Sequence, residues 1–427
     1  MTGRVYTVCE YDSFTRGETS VEGYYALSPS TFDALERFVL CNAEKDDALS
    51  FMGLSARKGV GKLLTAKNYV GVIAMKDGTV IEILPKIVSV GEDLEKVKTV
   101  FTDMLKTLRD FPSKTFGFSK MQVKNMPIFE VFIRMFIEEL FVLTKGGIRS
   151  DYEEKEENLS VFKGKIKQKE QIIQNYIHKE RCYATFEEFT ENVPENAILK
   201  TTLLLLRKNT RSNVNKRDLS ILLTSFENVR ESVDVTADFS KVKRDRSTKA
   251  YERALSWCRI FLSGRSYTSF AGSEVSVALL FPMEKLFESY VATFIQKRLD
   301  FDEYEVRLQD GGYYLFDAPK KFALRPDIVV RRKADGATYV LDTKWKLLFQ
   351  ESRDYGISRA DMYQMYAYHQ KYENTQSVTL LYPYTRAVPK DKNISYRSEE
   401  GVCVNVRFID PANAVQSIES CLQNLLV

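Results

Sequence analysis

The stretch Leu324–Trp345, LRPDIVVRRKADGATYVLDTKW, decides how the last part of this 427-residue chain folds. Two runs rich in β-branched residues flank Asp335-Gly336, a dipeptide typical of tight hairpin turns. The stretch therefore predicts two antiparallel strands. Asp327 and Asp342 lie roughly symmetrically about the turn, so we expect their carboxylates to be cross-strand or diagonal neighbours.

The same stretch places an amine next to the two carboxylates. Asp342 and Lys344 are two positions apart, so their side chains share one face of the predicted strand. Such a group suits phosphodiester hydrolysis, because carboxylates can hold Mg²⁺, which neutralises the phosphate and lowers the pKa of bound water. The lysine can orient or deprotonate the attacking water. We therefore predict Asp327, Asp342 and Lys344 as catalytic residues. The metal is assigned to the two aspartates together with Thr343.

Pro326-Asp327 followed by Asp342-Thr343-Lys344 resembles the PD-(D/E)xK nuclease signature. In nucleases of that kind a glutamate of the first helix often supports a metal or its water. The resemblance assigns this role to Glu288, on the flank of an amphipathic helix predicted over about 282–299. Gln364, in the next predicted helix, is assigned to the site as a ligand of a metal water or a phosphate. The alternative readings are an ordinary surface ion pair for the aspartate and lysine, and a solvated side chain for Glu288.

Three regions of different pattern follow one another along the chain. In the first, two β-type runs, Tyr69–Ala74 and Val80–Pro85, flank Asp77-Gly78 and predict a hairpin. The middle of the chain has mainly helical periodicity, and helices alternate with strands after it. We predict an α+β multidomain protein with an N-terminal β-rich domain (1–120), a mostly helical middle region (121–271) and a C-terminal α/β domain of the PD-(D/E)xK restriction-endonuclease type (272–427).

Charge is nearly balanced over the whole chain. The 62 Lys and Arg against 58 Asp and Glu exclude a histone-like polycation but allow a local basic groove. A face of alternating lysines on a predicted strand is one candidate for phosphate contacts, and a solvated charged face explains it equally well. Its members are Lys163, Lys165, Lys167 and Lys169.

Cysteine, histidine and apolar residues limit the class of protein further. The six cysteines are scattered without a CxxC pair, and there are only two histidines, which argues against disulfide frameworks and His-rich zinc sites. No apolar run approaches the ~20 residues that span a bilayer, and the N-terminus lacks the apolar core of a signal peptide. We expect a cytoplasmic protein without a membrane partner.

Short segments from about 69 to 408 resemble the McrC family, the nuclease subunits of McrBC-type and LlaJI-type restriction systems. The order of these segments, more than the length of any one of them, makes the resemblance specific. They are the nuclease residues above, YVGVI (69–73), IEILPKI (81–87), FKGKI (162–166), PENAILK (194–200) and DMYQMYAY (361–368).

The resemblance implies a concrete activity. McrC-like subunits cut double-stranded DNA only when bound to a McrB-like AAA+ ring that hydrolyses GTP, and they insert their N-terminal region into its pore. Residues 1–120 would then bind the motor, and the middle region would link it to the nuclease and contact DNA. The expected cofactor is Mg²⁺, with GTP entering only through the partner, and the expected target is DNA that carries 5-methylcytosine.

Two other functions remain open from the sequence. The chain could be an autonomous PD-(D/E)xK nuclease in DNA repair or mobile-element processing. It could also be a catalytically silent activator of an AAA+ partner, although the intact Asp327, Asp342 and Lys344 argue against this reading.

Overall fold

The computed structural model describes residues 4–18, 21–43, 51–87, 93–108, 111–112, 126–243, 245, 248–262, 275–386, 388 and 393–425. The strands are β1 (Val5–Cys9), β2 (Ser13–Arg16), β3 (Tyr25–Leu27), β4 (Met52–Arg57), β5 (Gly61–Ala66), β6 (Tyr69–Met75), β7 (Val80–Leu84), β8 (Asp151–Leu159), β9 (Lys165–Ile166), β10 (Cys182–Thr190), β11 (Val275–Pro282), β12 (Tyr304–Leu308), β13 (Tyr314–Asp317), β14 (Lys320–Ala323), β15 (Ile328–Arg332), β16 (Thr338–Thr343), β17 (Thr375–Pro383), β18 (Ile394–Arg397) and β19 (Cys403–Ile409).

The α-helices are α1 (Pro29–Ala43), α2 (Leu94–Thr107), α3 (Ile128–Thr144), α4 (Gln168–Gln174), α5 (Pro194–Asn209), α6 (Asn213–Thr224), α7 (Val235–Lys241), α8 (Glu252–Leu262), α9 (Met283–Arg298), α10 (Arg359–Lys371) and α11 (Ala414–Leu425). Within the ranges just given, no helix is both long enough and apolar enough to cross a membrane. The mixture of helices with several sheets confirms the predicted α+β, multidomain class.

Contacts divide the chain into two compact units, residues 1–128 with 264–427 and residues 129–263. The regions predicted at 1–120 and 272–427 therefore pack within one unit. The link is β11, which lies in the predicted nuclease region and pairs antiparallel with β6 along most of its length.

The hairpin predicted around Asp77-Gly78 forms from β6 and β7, but it lies inside a four-stranded sheet of order β1-β7-β6-β11. Every residue of both strands is buried. Gly71 permits the close approach of β11, because a Cβ at this position would lie 1.9 Å from the carbonyl oxygen of Leu279 and the backbone φ is +138°. Both strands of this hairpin are thus part of a core, and only the turn at Lys76, Asp77 and Gly78 is exposed.

A six-stranded mixed sheet of order β12-β15-β16-β17-β19-β18 forms the C-terminal half of the first unit. β16, β17 and β19 are parallel to one another, and the outer pairs are antiparallel. Helix α10 packs on this sheet through Met365, Tyr368 and Tyr372, while α9 and α11 contact each other and the strands β16 and β19. This arrangement carries all the residues that the sequence assigns to the nuclease site.

The second unit is mostly helical but also contains strands that the sequence did not predict. Besides α4 to α8 and most of α3, it contains a three-stranded antiparallel sheet of order β8-β10-β9. The sequence of β8, DYEEKEENL, has no apolar alternation because neither face of the strand is well buried. A strand of this kind leaves no periodic signal that could predict it.

The prediction that four lysines between positions 163 and 169 share one strand face is wrong. Only Lys165 lies in a strand, the two-residue β9, whereas Lys167 is the N-cap of α4 and Lys169 lies within that helix. The four lysines therefore do not share one strand face, because the chain changes from strand to helix between them.

Candidate functional site: a carboxylate–lysine group at the end of a hairpin

The β15–β16 hairpin forms as its turn dipeptide predicts. Its register pairs Ile328 with Leu341 and Val329 with Val340, so one further step places Asp327 opposite Asp342. At this end Asp327 Oδ2 accepts two hydrogen bonds from Thr343, one from the backbone N–H at 2.7 Å and one from Oγ1 at 2.6 Å. The hairpin thereby fixes the orientation of the Asp327 carboxylate.

Lys344 and Asp342 form a close ion pair in which Nζ lies 2.6 Å from Oδ2. Asp342 is almost completely buried, and Lys344 is partly exposed. Lys344 Nζ also donates to Gln364 Oε1 at 3.2 Å, and Gln364 Nε2 donates to the hydroxyl of buried Tyr368 at 2.6 Å. The side chain of Gln364, on the sheet-facing side of α10, is therefore placed to hold the lysine.

The local sequence explains why α10 presents Gln364 at this point. Ser358 caps the helix by accepting a hydrogen bond from the Asp361 N–H at 3.0 Å, so the helix begins one turn before Gln364. Tyr368 lies one turn after it and is buried in the core cluster. The cap and the packed tyrosine together set the position of the intervening glutamine.

Glu288 reaches the same group from α9, through a residue that sequence reasoning missed. Gln309 Nε2 donates to Glu288 Oε1 at 2.5 Å and to Asp327 Oδ1 at 3.0 Å, and its backbone N–H donates to the carbonyl of Asp327 at 3.0 Å. Gln309 follows β12 directly and has a φ of +50°. A lone glutamine at a strand end has no sequence signal, because its role depends on two other elements meeting there.

Burial and neighbouring negative charge raise the pKa of Glu288 and of Asp342. Burial, followed by the charge of Asp327, raises the pKa of Glu288 from 4.5 to about 7, against the hydrogen bond from Gln309. Burial and then Asp327 likewise raise the pKa of Asp342 to about 6, although Lys344 opposes the shift. For Lys344, burial lowers the pKa, but the charge and hydrogen bond of Asp342, together with the charges of Asp361 and Asp327, outweigh it and the net shift is upward. The ammonium is therefore charged at neutral pH.

The residue types and their surroundings fit a hard divalent cation. Asp342 Oδ2 is buried and, despite its ion pair, accepts no well-oriented hydrogen bond from any described residue. Carboxylate oxygens in a region of negative potential are the ligands that Mg²⁺ prefers. Still, among the residues the structure describes, no three Asp, Glu, His or Cys side chains converge on one point. Thr343 binds Asp327 through both of its donors, and its predicted place as a metal ligand stays a prediction.

A second feature lies in the other unit, on what we call the ribbon: β8, β10 and the connection between them, residues 151–190. It carries large apolar side chains that are more than about two-fifths exposed, an arrangement that typically marks a contact with another protein. These are Tyr152, Val161, Phe162, Ile166, Ile172, Ile173, Tyr176, Ile177 and Phe189. Four glutamates of β8, at positions 153, 154, 156 and 157, are also exposed.

Fold and site together define an α+β protein with an acid–lysine group at the end of a hairpin. Residues 64–383 match the family described as "McrBC 5-methylcytosine restriction system component". The chain belongs to this McrBC family, and the predicted relation to McrC is confirmed.

One solved structure agrees with this chain at the level of the fold. The chain is similar to one in a "Refined half-complex from tetradecameric assembly of Thermococcus gammatolerans McrB AAA+ hexamers with bound McrC", with a TM-score of 0.70, 18% identity, and coverage of 98% of this chain and 99% of that one. A second match, in the "Cryo-EM structure of the Thermococcus gammatolerans McrBC complex", has a TM-score of 0.49 and 17% identity and covers 70% and 89%. No curated protein sequence matches the chain.

Proposed function

We propose that this protein is the DNA-cutting subunit of a two-component restriction complex, a Mg²⁺-dependent endodeoxyribonuclease with a PD-(D/E)xK site. One observation carries the proposal. The hairpin brings Asp327 and Asp342 to one end, where Lys344 pairs with Asp342 and Gln309 joins Asp327 to Glu288. Four separate segments thus contribute to one acidic group, and family membership supports a role for it in a restriction system.

The residues divide the chemistry between them. Asp327 and Asp342 would hold Mg²⁺, which supplies charge stabilisation at the phosphate and a more acidic water when it is bound. Lys344 remains an ammonium, so it neutralises and orients rather than removes a proton. Glu288, with a pKa of about 7, can exchange a proton near neutral pH and is the better candidate for a general base.

We further propose that the protein binds a McrB-like AAA+ GTPase ring, and the similar assembly of McrB AAA+ hexamers with bound McrC supports this. GTP is then bound only by the partner, and the substrate is double-stranded DNA that carries 5-methylcytosine. The exposed apolar side chains favour the ribbon as the partner contact, because both strands of the β6–β7 hairpin are buried. Its exposed glutamates also favour a protein over DNA, whose phosphates they would repel.

Digestion of modified and unmodified duplexes tests these proposals. The chain is mixed with Mg²⁺, GTP and a McrB-like GTPase, and each component is left out in turn, with Asp342→Asn as the inactive control. We expect cleavage of modified DNA only in the complete mixture. Cleavage without the partner would support the autonomous nuclease, and stimulation of GTP hydrolysis without cleavage of any duplex would support the silent activator.

A further inference from the structure

A buried carboxylate of the N-terminal region lies against the residue that follows the nuclease motif. Glu10 comes directly after β1 and is completely buried. Its Oε1 and Oε2 accept the indole N–H of Trp345, with Nε1 at 3.0 and 3.1 Å, and Oε2 also accepts the backbone N–H of Lys86 at 3.0 Å. A buried acceptor with such partners holds them firmly, because removing it leaves buried donors unpaired.

Trp345 connects the end of β16 to helix α9. It is the residue after Lys344, and its ring packs against Phe287 with centroids 5.3 Å apart and planes tilted by 59°. Phe287 in turn precedes Glu288 in α9. One indole therefore sets the position of backbone that carries Lys344 and of backbone that carries Glu288.

The same N-terminal region also holds the start of α9. β11 leads directly into this helix, and Pro282 pairs with Tyr69 at the end of the β6–β11 ladder. The next backbone N–H, that of Met283, donates to the carbonyl of Asn68 at 2.9 Å. The helix that carries Glu288 is thus fixed to the N-terminal sheet at its first residue, and the indole adds a contact between α9 and the residue that follows Lys344.

We propose that Glu10 is a positioning residue of the nuclease site, which acts through Trp345 on the placement of Lys344 and Glu288. The inference rests on the proposed nuclease function and adds to it that the N-terminal region completes the catalytic geometry. The hydrogen-bond donors to Glu10 are Trp345 and the backbone of Lys86, and of these the indole is the one that leads to the nuclease residues.

Variants of the full chain, assayed with the partner GTPase, test the role. Glu10→Ala and Trp345→Phe remove the hydrogen bond from either side, whereas Glu10→Gln keeps one acceptor oxygen for the indole. We expect the first two to lower the DNA cleavage rate and raise the Mg²⁺ concentration for half-maximal cleavage by about tenfold each, the scale found when groups behind a metal ligand are lost. Glu10→Gln should keep most of the cleavage rate and a Mg²⁺ requirement close to that of the parent protein. Stimulation of GTP hydrolysis should stay unchanged in all three variants.

Glu82→Ala provides the matched control. Glu82 is also a completely buried glutamate of the N-terminal sheet, but it accepts hydrogen bonds from Thr7 and from the N–H of Ile128 and pairs with Lys98, away from the nuclease residues. Glu82→Ala should lower the melting temperature as Glu10→Ala does, but it should leave the Mg²⁺ requirement of the folded protein unchanged. The positioning role would be overturned if Glu10→Ala had the same Mg²⁺ requirement as the parent protein. It would also be overturned if Glu10→Ala and Glu82→Ala raised the Mg²⁺ requirement equally.

Calorimetric titration with Mg²⁺ keeps this test separate from the proposed nuclease function. If the parent protein cuts no DNA but binds Mg²⁺, the nuclease proposal fails, and weaker Mg²⁺ binding by Glu10→Ala alone still supports the positioning role. If the parent protein neither cuts DNA nor binds Mg²⁺, both inferences are overturned.

Discussion

Thr343 donates two hydrogen bonds to a single oxygen of Asp327, from its backbone N–H at 2.7 Å and from its hydroxyl at 2.6 Å. Both donors fall on Oδ2, so Oδ1 is the oxygen turned toward Gln309 and Glu288. The threonine between the aspartate and lysine of the motif therefore orients the other aspartate, across the hairpin.

We expect Thr343→Val to reduce DNA cleavage by about tenfold, since it removes a hydroxyl that orients a metal-binding carboxylate while the shape and the backbone donor remain. Thr343→Ser, which keeps the hydroxyl, should retain most of the rate. Cleavage rates at saturating Mg²⁺ measure the effect. Equal activity of the valine and serine variants would show that the hydroxyl has no part in orienting Asp327.

Asp342→Asn should lower cleavage by at least about a hundredfold, because a metal-polarised phosphate is worth several kcal/mol of transition-state stabilisation. GTP hydrolysis by the partner should still be stimulated, since Asp342 is buried within the nuclease site and cannot contact another protein. Both activities are measured on one preparation. The control is Asp335→Asn, at the exposed hairpin turn where Asp335 pairs with Arg332, and it should cut normally. Loss of both activities in folded Asp342→Asn protein would contradict this separation.

Glu288→Gln should alter how stability depends on pH. The pKa of Glu288 is about 7 in the folded protein and 4.5 without the fold, so the folded state binds more protons between these values. The free energy of unfolding therefore falls as pH rises from about 4.5 to about 7. The glutamine variant does not lose this stability as pH rises. Its melting temperature should therefore equal that of the parent protein below about pH 4.5 and exceed it most above pH 7. Both proteins are melted without divalent ions. An advantage that does not change with pH would contradict the raised pKa.

Replacement of Ile172 and Ile177 by serine should weaken binding to the partner GTPase by at least about tenfold, if these side chains are anchors of the interface. The two are 68% and 82% exposed, so the folded chain should lose little stability. Co-elution with the partner and thermal melting measure the two effects. Val233→Ser removes a fully exposed apolar side chain of the same unit outside the ribbon and serves as the control. Normal assembly of the double variant would exclude this part of the ribbon as the contact.

Local pattern was sufficient where one turn or one helix face decides the structure. Asp335-Gly336 predicted the β15–β16 hairpin, and the 282–299 periodicity predicted α9, whose observed bounds are Met283–Arg298. The juxtaposition of Asp327 with Asp342 follows from the register of that hairpin alone. Such features are encoded by neighbours in the sequence and need no distant partner.

Failures of the sequence-based predictions occurred where distant segments or weakly buried strands decide the structure. β8 and β10 were missed because β8 buries neither face well and β10 buries only Ala184 and Phe186, so neither strand leaves a clear periodic signal. The β6–β7 hairpin was predicted, but its place at the buried centre of a sheet was not, because β11, some two hundred residues later, covers one of its edges.

The amino-acid sequence by itself determined the chemistry that is available: two acids and an amine on one hairpin, with a family of nucleases to compare them with. Only the tertiary structure decided which other groups join them. Gln309 connects Glu288 to Asp327 across different elements, and Glu10 reaches Trp345 over a separation of 335 residues. The physical reason is that periodicity and turn chemistry report the burial and direction of a side chain, whereas a hydrogen bond between distant elements depends on how those elements pack.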